Sequence, residues 1–441
     1  MDNCETGKMA AIMSWLRLLA TARYESGEWA VTASGCRIAE QRDCLCPGCR
    51  PHDRHVLTRI CLGRLLGEPL LARLVLTRPR CHDGRTRGEL PIAFNQAARL
   101  PIPLIVLMLA DWMWMSAMAV AQRHHISPGL VNRLCRAFAH DFWRAYRPRL
   151  PAEGYIGLDV AHCGGRNHLV LAAVMPKGKA GSHVILVLPY ASDADRKAAI
   201  VTLRRLPGAA RLKAAACDLA SDLAILIDTV WPGLPIVADL RHVVADILKA
   251  LAAIRHAATA IRPRRLSAVT ASGRRRDDAK YLTESRDYSL SAAERDRRDL
   301  VLAALGDRGD LLYRLKEDLL NWYKITDRTR AEAALRAILG RLDSLNPAIN
   351  TLSGFLLTVG GRAHDHVLNY FDFPITTAYV ENVIKLFKQR YALWSVSGDF
   401  DLHYVRTLLH DGPLSPAALD AIRWHTALTF GTPETGNDFS P

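Results

Sequence analysis

Residues 154–190 read GYIGLDVAHCGGRNHLVLAAVMPKGKAGSHVILVLPY. Short apolar runs occupy Gly154 to Val160, His168 to Met175 and His183 to Tyr190, split by Gly164-Gly165 and by Gly178 to Gly181. Runs of this length between glycine-rich breaks predict three consecutive strands joined by turns. The pattern then changes period. Asp193 to Leu206 predicts a helix with an Asp cap at its start, Leu212 to Cys217 a fourth strand, Ser221 to Trp231 a helix and Leu234 to Ala238 a fifth strand. A β-β-β-α-β-α-β order predicts a mixed α/β sheet flanked by helices.

Outward from this core the chain divides by composition. Residues 1–99 hold seven of the ten cysteines and much arginine, and residues 100–150 read as helical. The core begins in residues 151–256. A mainly helical stretch with basic clusters at Arg262 to Arg265, Arg274 to Arg276 and Arg295 to Arg298 fills residues 257–370. Residues 371–441 open with one more amphipathic helix, Ala378 to Leu393. At 441 residues, 49% hydrophobic and 23% charged, the chain is globular rather than disordered and long enough for more than one folding unit.

The 58 Lys and Arg outnumber the 44 Asp and Glu, and a net charge of +14 favours a polyanionic partner, nucleic acid first. No secretory signal is expected, because Asp2, Glu5, Lys8 and Arg17 interrupt the apolar N-terminal stretch. A reducing cytoplasm is the natural setting, where clustered cysteines suggest metal rather than disulfides. Leu100 to Ala121 is long enough to span a bilayer, but Pro101, Pro103 and Asp111 argue for a buried helix pair and no membrane partner.

Three acidic residues stand where catalysis would place them. Asp159 lies in the C-terminal part of the first strand, Asp218 follows the fourth, and Glu381 sits at the edge of the apolar stripe Val380, Ile384 and Phe387. If the first and fourth strands are neighbours, the two aspartates project to the same end, and a helix packed there brings Glu381 to them. Such a group repels itself, and Mg²⁺ or Mn²⁺ relieves the repulsion through oxygen coordination. Two such ions would clamp the attacking and leaving oxygens of a phosphoryl displacement. Any one of these acids taken singly is more often a cap or a solvated charge. Asp239, at the end of the fifth strand, rivals Asp218 as the second acid, whereas Asp222 falls within a helix that points it away.

In order and spacing, Asp159 to the end resembles the DDE transposases of bacterial insertion sequences, the ISL-three group, relatives of Mutator-type transposases. The resemblance rests on Gly157-Leu158-Asp159, Cys217-Asp218-Leu219, Asp239-Leu240-Arg241-His242, Tyr313 to Glu317, and Glu381 to Lys388. It implies a ribonuclease H-like core interrupted by a helical insertion, with Asp159, Asp218 and Glu381 as catalytic Mg²⁺ ligands. It also implies a supporting role for Asp239 and His242, and DNA contacts from Lys385, Lys388 and Arg390. The expected partner is double-stranded DNA, both transposon ends and target, bound by a homo-oligomer associated with the bacterial nucleoid. A catalytically degenerate, transposase-derived DNA-binding protein and a structure-selective nuclease are the alternatives.

Two N-terminal features fit DNA binding. Ala121, His125 and Val131 have helix-turn-helix spacing, with Ser127-Pro128 opening a second helix and Asn132, Arg133 and Arg136 facing a major groove. Cys46-Pro47-Gly48-Cys49 is a knuckle of the kind that supplies two thiolates to Zn²⁺. The resembling family has a second cysteine pair downstream, where this chain has only Cys81. Either His82 or Cys44 completes a zinc-ribbon-like site or the region holds no metal.

Overall fold

A computed structural model describes the backbone of residues 22–25, 28–32, 50–65 and 68–80, and residues 94–95, 97–98, 100–176, 178–218, 221–261, 278–343, 358–394 and 400–431. In the N-terminal part, strands β1 (Ala22–Glu25), β2 (Glu28–Thr32), β3 (Arg50–Leu65) and β4 (Glu68–Arg80) form a sheet in the order β1-β2-β4-β3. Cys46, Cys49, Cys81 and His82 lie outside the described residues, as does Cys44. A two-stranded pair, β5 (Phe94–Asn95) and β6 (Leu100–Pro101), leads into helices α1 (Ile102–Trp112), α2 (Ala117–His124) and α3 (Pro128–Ala145).

The apolar stretch at Leu100 thus breaks into two short helices, and no helix among the described residues is long and apolar enough to cross a membrane. Ser116 caps α2, and Ser127 caps α3 with Pro128 in its first turn. Between them His125 takes the left-handed conformation (φ 54°), which lets Ile126 N–H reach back to the Ala121 carbonyl at 2.9 Å. Val131, Leu134, Phe138 and Phe142 form the buried face of α3.

The central sheet is built from β7 (Tyr155–Cys163), β8 (Arg166–Ala173), β9 (His183–Pro189), β10 (Ala214–Cys217) and β11 (Ile236–Ala238). Its order is β11-β10-β7-β8-β9, with β7, β8 and β9 antiparallel and β10 and β11 parallel to β7. Gly164 and Gly165 both have positive φ, as a two-residue hairpin between Cys163 and Arg166 requires. Helix α4 (Asp193–Arg204) precedes β10, and α5 (Ser221–Val230) precedes β11. Ser192, rather than Asp193, caps α4. Its hydroxyl accepts from Asp195 N–H while the Asp195 carboxylate accepts from Ser192 N–H, leaving Asp193 in the first turn, where the helix dipole favours an acid.

Helix α6 (Leu240–Ile261) follows β11 and is joined by α7 (Asp278–Glu284), α8 (Ala292–Leu305), α9 (Asp307–Trp322), α10 (Arg328–Asp343) and α11 (His364–Leu368). Val244, Ile247 and Leu251 of α6 share one core with Leu315, Leu319 and Leu335. The Tyr313 to Glu317 stretch explains itself here: Lys316 is fully buried, donates to the Thr283 and Ser285 carbonyls at 3.0 and 2.6 Å, and pairs with Glu317 at 2.8 Å. Helices α12 (Ala378–Trp394), α13 (Phe400–Asp411) and α14 (Pro416–Thr429) complete the chain.

Two compact units result, one of Pro148–Lys385 and one of Met1–Arg147 with Leu386–Pro441. Within the first, a Cβ on Gly157 of β7 would stand 2.8 Å from both Val174 and Val380 side chains. The absence of a side chain there lets α12 lie against the strand. Gly157→Ala is expected to destabilise this unit by about 1–3 kcal/mol in urea unfolding, as overpacking does, and a change near zero would contradict the close approach.

Candidate active site

Three aspartates lie level across three adjacent strands, and Asp159 stands in the middle of β7, which runs on to Cys163, rather than in the C-terminal part that the sequence suggested. Asp159 lies in β7, Asp218 directly follows β10, and Asp239 directly follows β11. The parallel registers align them: Ala216 pairs with Gly157, two residues before Asp218 and Asp159, and Cys217 pairs with Ala238, one residue before Asp218 and Asp239. The Asp239 N–H donates to the Cys217 carbonyl at 3.0 Å, which carries the alignment one residue past the strand. Parallel pairing therefore does what the sequence reading required of it, and it adds a third aspartate to the row.

Glu381 arrives from α12, and a buried tie fixes where that helix begins. Asp239 Oδ2 accepts from both the Thr377 N–H (2.9 Å) and the Thr377 hydroxyl (2.8 Å). Both residues are 1% exposed. The Thr377 carbonyl in turn accepts from Glu381 N–H at 2.9 Å, the opening bond of the helix. Glu381 thus stands one turn above a residue held by Asp239. His242, in the first turn of α6, places Nε2 3.6 Å from Glu381 Oε1. Asp239, His242 and Glu381 each offer a ligand atom, all within 4.8 Å of one another. Asp159 and Asp218 stand outside that tight group.

Their charges nevertheless reach one another. Burial pushes the Asp159 carboxyl up to about 6, and the negative charges of Asp218 and Glu381 push the same way; the Val160 N–H, donating to Asp159 Oδ1 at 2.7 Å, and His242 oppose them. The Cys217 thiol, buried beside the three aspartates, is pushed up to about 12 and stays a neutral thiol. Carboxylate oxygens with one imidazole and no thiolate form a donor set for Mg²⁺ or Mn²⁺ rather than for a soft metal.

A family model described as a transposase, of the DDE type and ISL-three group, matches residues 159–391, a little over half of the chain. The chain belongs to this family of DDE transposases. No curated protein matches it. The match begins at Asp159 and takes in every acid just described.

The other residues singled out in this transposase divide between the two units. On α3, Arg133 and Arg136 are exposed and Asn132 is half-buried. Lys385 and Lys388 are exposed on α12, whereas Arg390 is bonded to Asp411 at 2.6 Å with each side chain 17% exposed. Asp222 is exposed in the first turn of α5. Thr377 and Gly157 drew no functional reading from sequence. A threonine preceding a helix and a glycine inside a strand were the available signals.

The raised Asp159 carboxyl gives a pH dependence with a defined sign. Its folded-state value lies above the ordinary 3.8, so its contribution to stability is full below that value and lost as pH rises through about 6. In chelator-treated protein, Asp159→Asn is expected to match the wild-type Tm near pH 4 and exceed it by roughly 3–6 °C at pH 7.5. A Tm difference independent of pH would contradict the raised Asp159 carboxyl.

Proposed function

We propose that this transposase binds the terminal inverted repeats of its element and catalyses DNA strand cleavage and strand transfer in a ribonuclease H-like core, at Asp159, Asp218 and Glu381. What carries the reading is the coupling at Asp159: acids from a first strand, a fourth strand and a late helix act on one carboxyl group. A solvated surface acid has no such neighbours. On this reading residues 151–256 and the start of 371–441 form the core, 257–370 the helical insertion, 100–150 a helix-turn-helix and 1–99 a basic N-terminal region.

Asp159, Asp218 and Glu381 would hold Mg²⁺ or Mn²⁺, which when bound supplies Lewis-acid activation of a water or a 3′-hydroxyl and neutralises charge on the scissile phosphate. The chain's own residues do the rest. Asp159 is oriented by the Val160 N–H, and Glu381 by the first turn of a helix whose start Asp239 and Thr377 fix. His242, 41% exposed, stands beside Glu381 with Nε2 3.6 Å from Oε1. None of the acids needs to attack phosphorus, so no covalent protein–DNA intermediate forms. Arg133 and Arg136, with Asn132, present an exposed basic helix face to a major groove. Lys385 and Lys388 offer phosphate contacts beyond the third acid. Arg390, spent on Asp411, holds structure instead. A homo-oligomer assembled on double-stranded DNA at the nucleoid is the expected working form.

Asp159→Asn, Asp218→Asn and Glu381→Gln should each lower strand transfer from a pre-cleaved transposon end by at least roughly 100-fold, a loss of about 3 kcal/mol of transition-state stabilisation. Affinity for end DNA should be held or raised, because each change removes a negative charge. Full transfer by any of the three variants would overturn the assignment. Wild-type protein that cleaves without joining would make it a nuclease.

A further inference from the structure

The function proposed above gives Asp159, Asp218 and Glu381 an oxygen-lined cation position, but the group of ligand atoms that the described residues bring together includes an imidazole. Asp239, His242 and Glu381 bring one ligand atom each to within 4.8 Å of the others. Two donors bound to one ion at about 2.1 Å lie roughly 3–3.5 Å apart, and His242 Nε2 to Glu381 Oε1 measures 3.6 Å. A charge-assisted hydrogen bond between the same atoms would close to about 2.7–2.9 Å. The Asp239 carboxylate is buried and anchored through Oδ2 by two donors on Thr377, the kind of outer support that orients a metal ligand. His242 and Glu381 are 41% and 24% exposed, so an ion has a path from solvent.

The geometry points to a distinct cation position held by Asp239, His242 and Glu381, sharing Glu381 with the Asp159 and Asp218 position and selecting Mn²⁺ or another nitrogen-accepting divalent ion over Mg²⁺. The selectivity follows from the donors. Mg²⁺ prefers an all-oxygen shell and keeps its waters, whereas imidazole suits transition ions. The two cation positions of the pocket are then chemically unequal. The inference rests on the proposed catalytic pocket only through Glu381, the shared ligand.

Pulsed electron paramagnetic resonance on the full chain with Mn²⁺ alone tests it, through ¹⁴N modulation from a directly bound imidazole. The expected result is nitrogen-coupled Mn²⁺ in the wild type, retained in Asp159→Asn and lost in His242→Ala, with Mn²⁺ affinity at that position falling at least roughly tenfold. A circular-dichroism spectrum unchanged by His242→Ala excludes misfolding as the cause. Bound Mn²⁺ that shows no nitrogen coupling, or coupling that survives His242→Ala, would overturn the inference. The catalytic reading would stand in that event if Asp159→Asn still released an oxygen-bound ion. Protein that binds no Mn²⁺ at millimolar concentration would overturn both.

Discussion

The pocket depends on two hydrogen bonds, from the backbone and hydroxyl of Thr377 to one oxygen of Asp239. A carboxylate 1% exposed is tolerated only when its charge is met, and hydrogen bonds to charged groups contribute about 1.5–3 kcal/mol each. Here the donors sit at the N-terminal end of α12, where the aligned peptide dipoles add positive potential. The same bonds that satisfy Asp239 therefore fix the start of the helix that carries Glu381. Gly157 completes the arrangement by letting Val380 come close to β7. Without the tie, the helix that carries Glu381 would lose the buried anchor at its start.

Burial, helped by the charges of Asp218 and Glu381, disfavours the ionised form of Asp159, and a proton or a nearby cation relieves that cost. Helices α9 and α10 pack on Val244 and Ile247 of α6, the helix whose first turn carries His242. Lys316, buried and bonded to the Thr283 and Ser285 carbonyls at the end of α7, ties α9 to α7.

The sheet was largely legible because its signals are local. Gly164-Gly165 and the apolar runs around it set the hairpin, and all five strands and their intervening helices fall where the periodicity put them, within a few residues. Asp218 stands at the strand end where the pattern placed it and Glu381 on the helix expected there, whereas β7 runs on past Asp159 to Cys163. The role of Asp239 was less visible, since its partner Thr377 lies 138 residues away and no local pattern encodes that meeting. Arg390 was named for a DNA contact from the resemblance, and its ion pair with Asp411, 21 residues on, was equally absent from any local pattern. The N-terminal strands carried no clean alternation, and composition alone described that region.

Anomalous diffraction from crystals of the full chain soaked in Mn²⁺ reaches the central claim most directly. The account requires a manganese peak within about 2.0–2.6 Å of carboxylate oxygens from both Asp159 and Glu381, with Asp239 still bonded to Thr377. A map that puts manganese elsewhere while Glu381 faces bulk solvent, remote from the aspartates, would contradict it.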